Sequence, residues 1–145
     1  MMNNKLKIKI KKLDENAIVP AYANPGDAGM DIYATSKKVF DDYIEYGTGL
    51  SFEVPEGYVM LIFPRSSISN KDLILSNSVG VLDSGYRGEL KFRFKRSFSP
   101  NPKHYNTGDR IGQIIIMPYP TIEFTEVDEL SDSIRGERGF GSTGK

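Results

Sequence analysis

Apolar residues recur along this chain in short stretches, most of them with a period of two. Residues 5–11 alternate lysine with leucine or isoleucine, and residues 90–95 alternate leucine or phenylalanine with lysine or arginine. Because successive side chains of a strand point to opposite faces, this spacing predicts half-buried β-strands. Residues 58–63 are a continuous apolar run, short enough for a buried strand. Further strands are predicted at 30–34, 111–117 and 121–127.

Glycine and proline separate these stretches, and in none of them do apolar residues keep the helical period of 3.6 for three turns. At most, residues 69–75 form a short helix. Residues 79–90 consist of two apolar arms joined by an Asp-Ser-Gly turn, which predicts a β-hairpin. Many short strands separated by turn residues indicate one all-β domain, an antiparallel sandwich or barrel. We expect residues 1–130 to form this domain and residues 131–145 to be a flexible, glycine-rich C-terminal arm.

The composition excludes several classes of function. Nineteen basic and nineteen acidic residues balance to a formal net charge of zero, which argues against nucleic-acid binding through bulk electrostatics. Cysteine is absent, so thiol catalysis, disulfides and zinc–thiolate sites are excluded. The single histidine, His104, cannot form a histidine triad or a multi-histidine metal site, and its polar surroundings predict a surface loop. Without a signal-type segment or an apolar run of membrane-spanning length, we expect a cytoplasmic protein with no membrane partner.

Polar clusters follow several of the predicted strands. Arg65, Ser66 and Ser67 come directly after the buried run 58–63, so a guanidinium fork and two hydroxyls emerge at a rigid strand end. Such donors suit phosphate oxygens. The alternative is an N-capping serine beside an ordinary surface arginine.

The turn within 79–90 carries a second cluster. Asp83 closes an apolar arm, so we expect it to be partly shielded from water, a setting that suits a general base. Tyr86 lies three residues further on and offers a flat ring able to cover a sugar. The alternative is an Asx-turn aspartate with a surface tyrosine.

Two further clusters add an Asp–Arg pair at 109–110 with Gln113, and a carboxylate, Asp31, after a glycine-rich turn. Either acid also fits an ordinary turn. Taken together, the clusters are rich in arginines and hydroxyls and poor in carboxylates, a balance that suits a polyanion such as a triphosphate. Mg²⁺ is then expected to be held by the phosphates and not by a carboxylate cage.

The last eleven residues, 135–145, are mostly glycine, arginine and hydroxyl residues, with Phe140 as the one large apolar group. Glycine-rich bends with arginine favour anion binding, and an aromatic ring beside phosphate ligands indicates stacking on a base. The segment contains the G-x-G-x-x-G and G-x-x-x-x-G-K patterns, but both need a helix after them, and we expect neither to operate here. The alternative is a disordered terminus without function.

In this order, the five clusters resemble the five motifs of the trimeric dUTPase (deoxyuridine triphosphatase) family. The matching segments are 28–32, 64–67, 80–88, 108–113 and 135–144. The resemblance implies a jelly-roll-like distorted β-barrel that hydrolyses dUTP to dUMP and pyrophosphate with Mg²⁺. It also implies a homotrimer with sites at subunit interfaces, one subunit giving motifs one, two and four, a second motif three, and a third its tail. Such an enzyme limits uracil incorporation into DNA and supplies dUMP for dTTP synthesis.

The resemblance also implies a role for each matching residue. Asp83 would be the base that activates water for attack on the α-phosphorus, and Tyr86 would pack on the deoxyribose. Asp31 would lie near the phosphates and metal without binding the metal directly. The remaining expected substrate contacts are, for the uracil, Asn77, Val81 and Leu82; for the phosphates, Arg65, Ser66, Ser67 and Gln113; more loosely, Lys91; and, from the tail, Arg135, Phe140, Gly141, Ser142 and Thr143.

Two departures from the family pattern concern small residues. Gly112 stands where alanine is usual and is expected to loosen its strand slightly, and Ser67 replaces a common glycine. Two other functions stay open. A dCTP deaminase has a related fold but needs a glutamate base, and a dUTP-binding regulatory module needs no turnover.

Overall fold

The computed structural model describes residues 4–142 and residue 144, and the regular structure in this part of the chain is ten β-strands and one 3-10 turn. The strands are β1 (Lys9–Lys12), β2 (Met30–Tyr33), β3 (Ser36–Val39), β4 (Tyr43–Gly47), β5 (Leu50–Glu53), β6 (Tyr58–Phe63), β7 (Leu73–Leu75), β8 (Gly80–Leu82), β9 (Lys91–Arg96) and β10 (Arg110–Pro118). The 3-10 turn, η1, spans Ser66–Asn70. The predicted all-β class is therefore confirmed. No helix in the described residues is long and apolar enough to cross a membrane.

The strands form two four-stranded antiparallel sheets and one two-stranded sheet. One large sheet has the order β2-β10-β6-β8, the other has the order β3-β4-β9-β7, and β1 pairs with β5. Most neighbours in this order are far apart in sequence, which is the jelly-roll-like arrangement that was expected. The central position of β10, between β2 and β6, later decides which polar clusters meet.

A single apolar core joins the two large sheets. Alternation along β9 buries Phe92 and Phe94, and the facing sheet contributes Ile32 and Ile114. Burying side chains of this size stabilises the fold by about 1.5–3 kcal/mol each. The core therefore holds both sheets, and the ends of their strands, in fixed positions.

Two predicted elements, one strand and one helix, differ from the structure. The strand predicted at 5–11 begins only at Lys9, because Leu6 is exposed while Ile8 and Ile10 pack against the core. The helix predicted at 69–75 is wrong. The chain closes the short turn η1 and then forms β7, whose alternate leucines are buried against the core.

The hairpin predicted within 79–90 is also wrong as a strand pair. Its turn exists, since the Tyr86 amide donates to the Asp83 carbonyl oxygen at 3.1 Å. The arms separate after it, because β8 pairs with β6 in one sheet while β9 pairs with β4 and β7 in the other. Leu82 of the first arm and Leu90 of the second are both buried in the core that joins the sheets.

The strand predicted at 121–127 does not form. Its alternating apolar side chains, Ile122 and Phe124, are 62% and 93% exposed, and no strand of the described chain pairs with the segment. A strand needs a neighbour to satisfy its backbone N–H and C=O groups. The pattern is present in the sequence, but the described residues offer this segment no partner strand.

Candidate functional site

Strand β10 brings three of the polar clusters to one end of its sheet. Gln113 on β10 is the register partner of Asp31 on β2 and of Phe63 at the end of β6. Arg65 lies two residues beyond Phe63, where the chain is still extended. The residues expected at motifs one, two and four therefore lie side by side.

A carboxylate holds the guanidinium of Arg65 in place. Arg65 Nε donates to Asp31 Oδ1 at 3.0 Å, and Arg65 NH1 donates to Ser67 Oγ at 3.3 Å. The second oxygen of Asp31 accepts from Arg110 NH1 at 3.4 Å. Of the five N–H groups of a guanidinium, two are used here, so three remain for a ligand. This arrangement presents a preoriented fork to an anion, with Ser66 exposed beside it.

Gln113 is fixed from two sides. Its Nε2 donates to the Pro64 carbonyl oxygen at 3.0 Å. On the other side, a Cβ added at Gly29 would collide with the Gln113 side chain, with Gln113 Cδ only 3.3 Å away. Gly29 is therefore needed so that the side-chain amide of Gln113 can occupy this position.

The residues expected to bind the nucleoside line a separate concavity of about 470 Å³. The predicted site residues that line it are Asn77, Val81, Leu82, Asp83, Tyr86 and Lys91. Leu82 is buried, but Asp83 after it is exposed, so the partial shielding expected for this carboxylate is not met within the single chain.

Tyr86 has a fixed orientation at this concavity. Its hydroxyl donates to the Glu89 carbonyl oxygen at 3.0 Å, and a Cβ at Gly88 would lie 2.7 Å from the ring carbon that carries the hydroxyl. Gly88 therefore leaves room for the ring. The side chain is 47% exposed, which leaves part of its surface free for a sugar.

Lys91 is already paired within the chain. Its Nζ lies 3.4 Å from Glu45 Oε1 and 3.8 Å from Glu89 Oε2. Burial works to raise the pKa of Glu45, but the hydrogen bond from Arg93 and the charge of Lys91 outweigh it and the pKa is lowered. The glutamate thus stays ionised and retains Lys91, which weakens the case for Lys91 as a substrate contact.

The phosphate cluster and Asp83 lie at opposite ends of β6. Leu82 is the register partner of Met60, so Asp83 lies level with Val59. From Val59 to Arg65 is 65 − 59 = 6 residues, or about 20 Å at about 3.3 Å per residue. A general base must lie within hydrogen-bond reach of the water it activates. Within one chain, Asp83 is therefore too far from Arg65 to act on a phosphate that Arg65 holds.

The C-terminal segment lies on neither cluster. From 131 to 142, the hydrogen bonds described stay within the segment, including a reciprocal pair between Arg135 and Arg138. Phe140 is fully exposed, with φ of 50°, and the following Gly141 has φ of 81°. Ser142 is exposed, and Thr143 lies outside the described residues. The segment presents its ring and arginines to solvent.

A second concavity, of about 340 Å³, adjoins the phosphate cluster and was missed from the sequence. Arg65, Ser67 and Arg110 line it together with Lys71 and Tyr105. The available signal was the position of Tyr105, only a few residues before the cluster at 108–113.

His104 is not the open surface residue that was expected. It is half-buried, and its Nε2 is buried without a hydrogen-bond partner. Burial, followed by the positive charges of Lys37 and Arg96, lowers the pKa of His104. The imidazole is therefore held neutral.

The described residues offer no ready-made carboxylate cage for Mg²⁺. Among the residues described, no group of three or more histidine, aspartate or glutamate side chains is placed to hold a metal. Both carboxylate oxygens of Asp31 accept from arginines. A metal that bound Asp31 directly would have to displace these contacts.

Comparison with known proteins places the chain in a family. Residues 15–144 match the dUTPase family model. The chain is 40% identical to the deoxyuridine 5'-triphosphate nucleotidohydrolase of Helicobacter hepaticus over 99% of this chain and 92% of that protein. Its fold is similar to the dUTPase of Staphylococcus bacteriophage 80alpha with dUPNHPP, with a TM-score of 0.81 and 30% identity over 97% of this chain and 100% of that one.

A mutant dUTPase from phage phi11 of S. aureus, with a structural Mg(II) ion, has a TM-score of 0.71 and 28% identity over 86% of this chain and 98% of that one. The family match covers most of the chain, and it includes both strand-end clusters and the glycine-rich tail. The chain belongs to the dUTPase family.

Proposed function

We propose that this protein hydrolyses dUTP to dUMP and pyrophosphate, with a water activated by Asp83 attacking the α-phosphorus. Family membership supports the reaction, and a nucleotide analogue is bound by the related phage 80alpha enzyme. The single observation that carries the proposal is the pair of half-sites at the two ends of β6, one rich in anion donors and one with a carboxylate beside a concavity. Together they supply what a nucleoside triphosphate needs.

The phosphate half-site acts by electrostatics and positioning. The free N–H groups of Arg65, with Ser66, Ser67 and Gln113, donate to phosphate oxygens and hold the chain of phosphates in line. Asp31 maintains the direction of the Arg65 fork and lies between two arginines. Such preorganised donors stabilise charge that develops as the leaving pyrophosphate departs.

The nucleoside half-site selects the substrate and supplies the base. Asn77 and the backbone at Val81 and Leu82 contact the uracil edge, and Tyr86 covers the deoxyribose where a ribose 2'-hydroxyl would collide. Asp83 takes a proton from water as the water oxygen bonds to the α-phosphorus. The bond from that phosphorus to the bridging oxygen breaks, and pyrophosphate leaves with the electron pair.

A complete site then requires a second copy of the chain. The separation of about 20 Å along β6 prevents Asp83 and Arg65 of one chain from meeting on one substrate. The exposed alternation at Ile122 and Phe124 supports contact between copies, because the described part of the chain leaves both side chains open to solvent. We propose a homotrimer with three sites at subunit interfaces, as the family resemblance implies.

The arm at 131–145 closes over the occupied site. Phe140 caps the base, and Arg135, Gly141, Ser142 and Thr143 contact the phosphates. The exposure of Phe140 fits a ring that is covered only when substrate is present. Closure would exclude bulk water, which strengthens every charge interaction at the reacting phosphorus.

Mg²⁺ belongs to this proposal as the partner of the triphosphate. It would neutralise phosphate charge, and Asp31 would lie near it without coordinating it. In the cell, the reaction limits uracil in DNA and supplies dUMP for dTTP synthesis. Because dUTP is an intracellular nucleotide, we propose that the protein acts in the cytoplasm.

One assay tests the proposal. Pyrophosphate release is measured from dUTP, UTP, dTTP and dCTP, each with Mg²⁺, and we expect turnover of dUTP far above that of the others. Ammonia release from dCTP would instead indicate a deaminase. Binding of dUTP without any turnover would indicate a regulatory module.

A further inference from the structure

Tyr105 is a buried residue whose hydroxyl has no hydrogen-bond partner among the described residues. The side chain is 2% exposed, and its hydroxyl oxygen is buried without a hydrogen bond. The neighbouring Tyr46 is buried too, yet its hydroxyl donates to the Tyr105 carbonyl oxygen at 2.9 Å. A buried donor without an acceptor is costly and rare in native proteins. Tyr105 therefore needs an explanation that Tyr46 does not.

The hydroxyl lies beside the phosphate cluster. Tyr105 lines the concavity of about 340 Å³ together with Arg65 and Ser67. Burial raises the pKa of Tyr105, and the Ser67 side chain is close enough to oppose that rise. The phenol is thus protonated and able to donate near neutral pH, with the Ser67 hydroxyl close by but not in bonding geometry.

The ring itself is fixed. It packs edge-on against Tyr46, with ring centroids 6.1 Å apart, and tilted against Phe94 at 5.8 Å. Lys71 Nζ lies 5.0 Å from the ring centroid, within the range of a cation–π contact. Ser67 is only half-buried, in the short turn η1. Of the two side chains, Ser67 therefore has the greater freedom to move.

We propose that Tyr105 is a positioning residue, whose hydroxyl donates to Ser67 Oγ when phosphate binds and so fixes the Arg65–Ser67 pair. The inference rests on the proposed function, since it concerns the phosphate half-site. A serine oxygen accepts two hydrogen bonds and donates one. Arg65 NH1 fills one acceptor position at 3.3 Å, and Tyr105 fills the other. The Ser67 proton is then left to donate outwards, to a phosphate oxygen.

Tyr105→Phe removes this one oxygen atom and keeps the ring. We expect the KM for dUTP to rise about three- to tenfold, the range for one hydrogen bond, with kcat changed less than about twofold. The dissociation constant of inorganic triphosphate, measured by calorimetry, should rise by the same factor. Tyr46→Phe is the matched control: it removes an equally buried hydroxyl and should lower Tm while leaving both constants unchanged.

A double-mutant cycle identifies the route. If Tyr105 acts through Ser67, Ser67→Ala alone raises the KM, and adding Tyr105→Phe to it raises the KM no further. The proposal is overturned if Tyr105→Phe leaves the KM unchanged or if Tyr46→Phe raises it equally. It is also overturned if the effects of Ser67→Ala and Tyr105→Phe on the KM multiply in the double variant. A misfolded Tyr105→Phe protein leaves Ser67→Ala as the decisive variant, and an unchanged KM there overturns the proposal.

The two levels of inference fail separately. Loss of triphosphate binding on Tyr105→Phe, in a protein that releases no pyrophosphate from dUTP, would refute the proposed reaction and support the role of Tyr105. If the wild-type protein hydrolyses dUTP but Tyr105→Phe leaves triphosphate binding unchanged, the proposed reaction would be supported and the role of Tyr105 refuted.

Discussion

Two inactive variants should restore each other's activity when they assemble together. Asp83→Asn removes the proposed base, and Arg65→Gln removes the phosphate fork, so each variant alone should lose several orders of magnitude in kcat/KM. Because Asp83 and Arg65 of one chain are separated by about 20 Å along β6, we expect each active site to take the two residues from different chains. A mixed oligomer can therefore contain a site with both residues intact.

The expected recovery follows from the symmetry of a closed ring. In a trimer assembled at random from equal amounts of the two variants, a given site needs Asp83 from one kind of chain and Arg65 from the other. Each condition holds with a chance of one half, so about one quarter of the sites are intact. Pyrophosphate release from dUTP should thus recover to about 25% of the wild-type value per chain in the unsorted mixture. In oligomers that contain both kinds of chain it should reach about one third, because every mixed trimer has one intact site of three.

The assay is coexpression of the two variants with different affinity tags, followed by isolation of oligomers that carry both. Separately purified variants, mixed without exchange of subunits, are the control and should stay inactive. A double variant with both substitutions in one chain, coexpressed with wild type, measures the effect of assembly itself. No recovery in verified mixed oligomers would show that both residues of a site come from one chain, and the spacing along β6 would then have been misjudged.

Three further predictions concern other parts of the chain. Gly112→Ala should lower the free energy of unfolding by about 1–3 kcal/mol, seen as a lower Tm, because the new Cβ would collide with the Phe92 ring. A smaller residue at Phe92 should reverse part of this loss. The pKa of His104 is lowered in the folded state, so the unfolded chain binds more protons near its ordinary pKa and stability should fall as pH falls through about 6.5. His104→Gln should flatten that slope in urea titrations at pH 5.5 and 7.5, and an unchanged slope would assign it to other groups. Truncation after Asp132 should leave Tm unchanged but reduce dUTP turnover strongly. Phe140→Ala should reduce dUTP turnover less. Full activity without the arm would refute its closure over the site.

The effect of Gly112 differs from what the sequence indicated. A glycine in a strand predicts local loosening, since it leaves a gap and adds freedom to the unfolded chain. In the fold, the Phe92 ring occupies that gap, and the Phe63 carbonyl oxygen would lie 2.8 Å from an added Cβ. Only the pairing of distant strands places these groups together, so the local sequence could not show it.

The strands that were predicted correctly are those whose burial is decided locally. β6, β9 and β10 each carry a run or an alternation strong enough to fix a strand whatever its neighbour. The errors concern pairing. The arms within 79–90 share a turn but join different sheets, and 121–127 has the alternation of a strand without a partner. Pairing depends on segments far away in sequence, which periodicity does not report.

The same distinction applies to the candidate site. Resemblance to a family supplied the residue types, and the position of β10 explains why Asp31, Arg65 and Gln113 meet. Tyr105 escaped notice because a tyrosine in a polar loop gives no sign of burial. Its ring is buried only after Tyr46 and Phe94 arrive from two other strands.

Three features of the single chain share one explanation. Asp83 is exposed where a base should be shielded, Ile122 and Phe124 alternate like a strand without a neighbour, and Phe140 is fully open to solvent. Each of them is costly or without purpose in an isolated chain, since exposed aromatic and aliphatic side chains gain nothing from the hydrophobic effect. Copies of the same chain can cover all three, because a closed assembly repeats each contact at every interface. Because the sheet holds the two half-sites about 20 Å apart, we expect catalysis to depend on assembly, and the coexpression experiment tests that dependence directly.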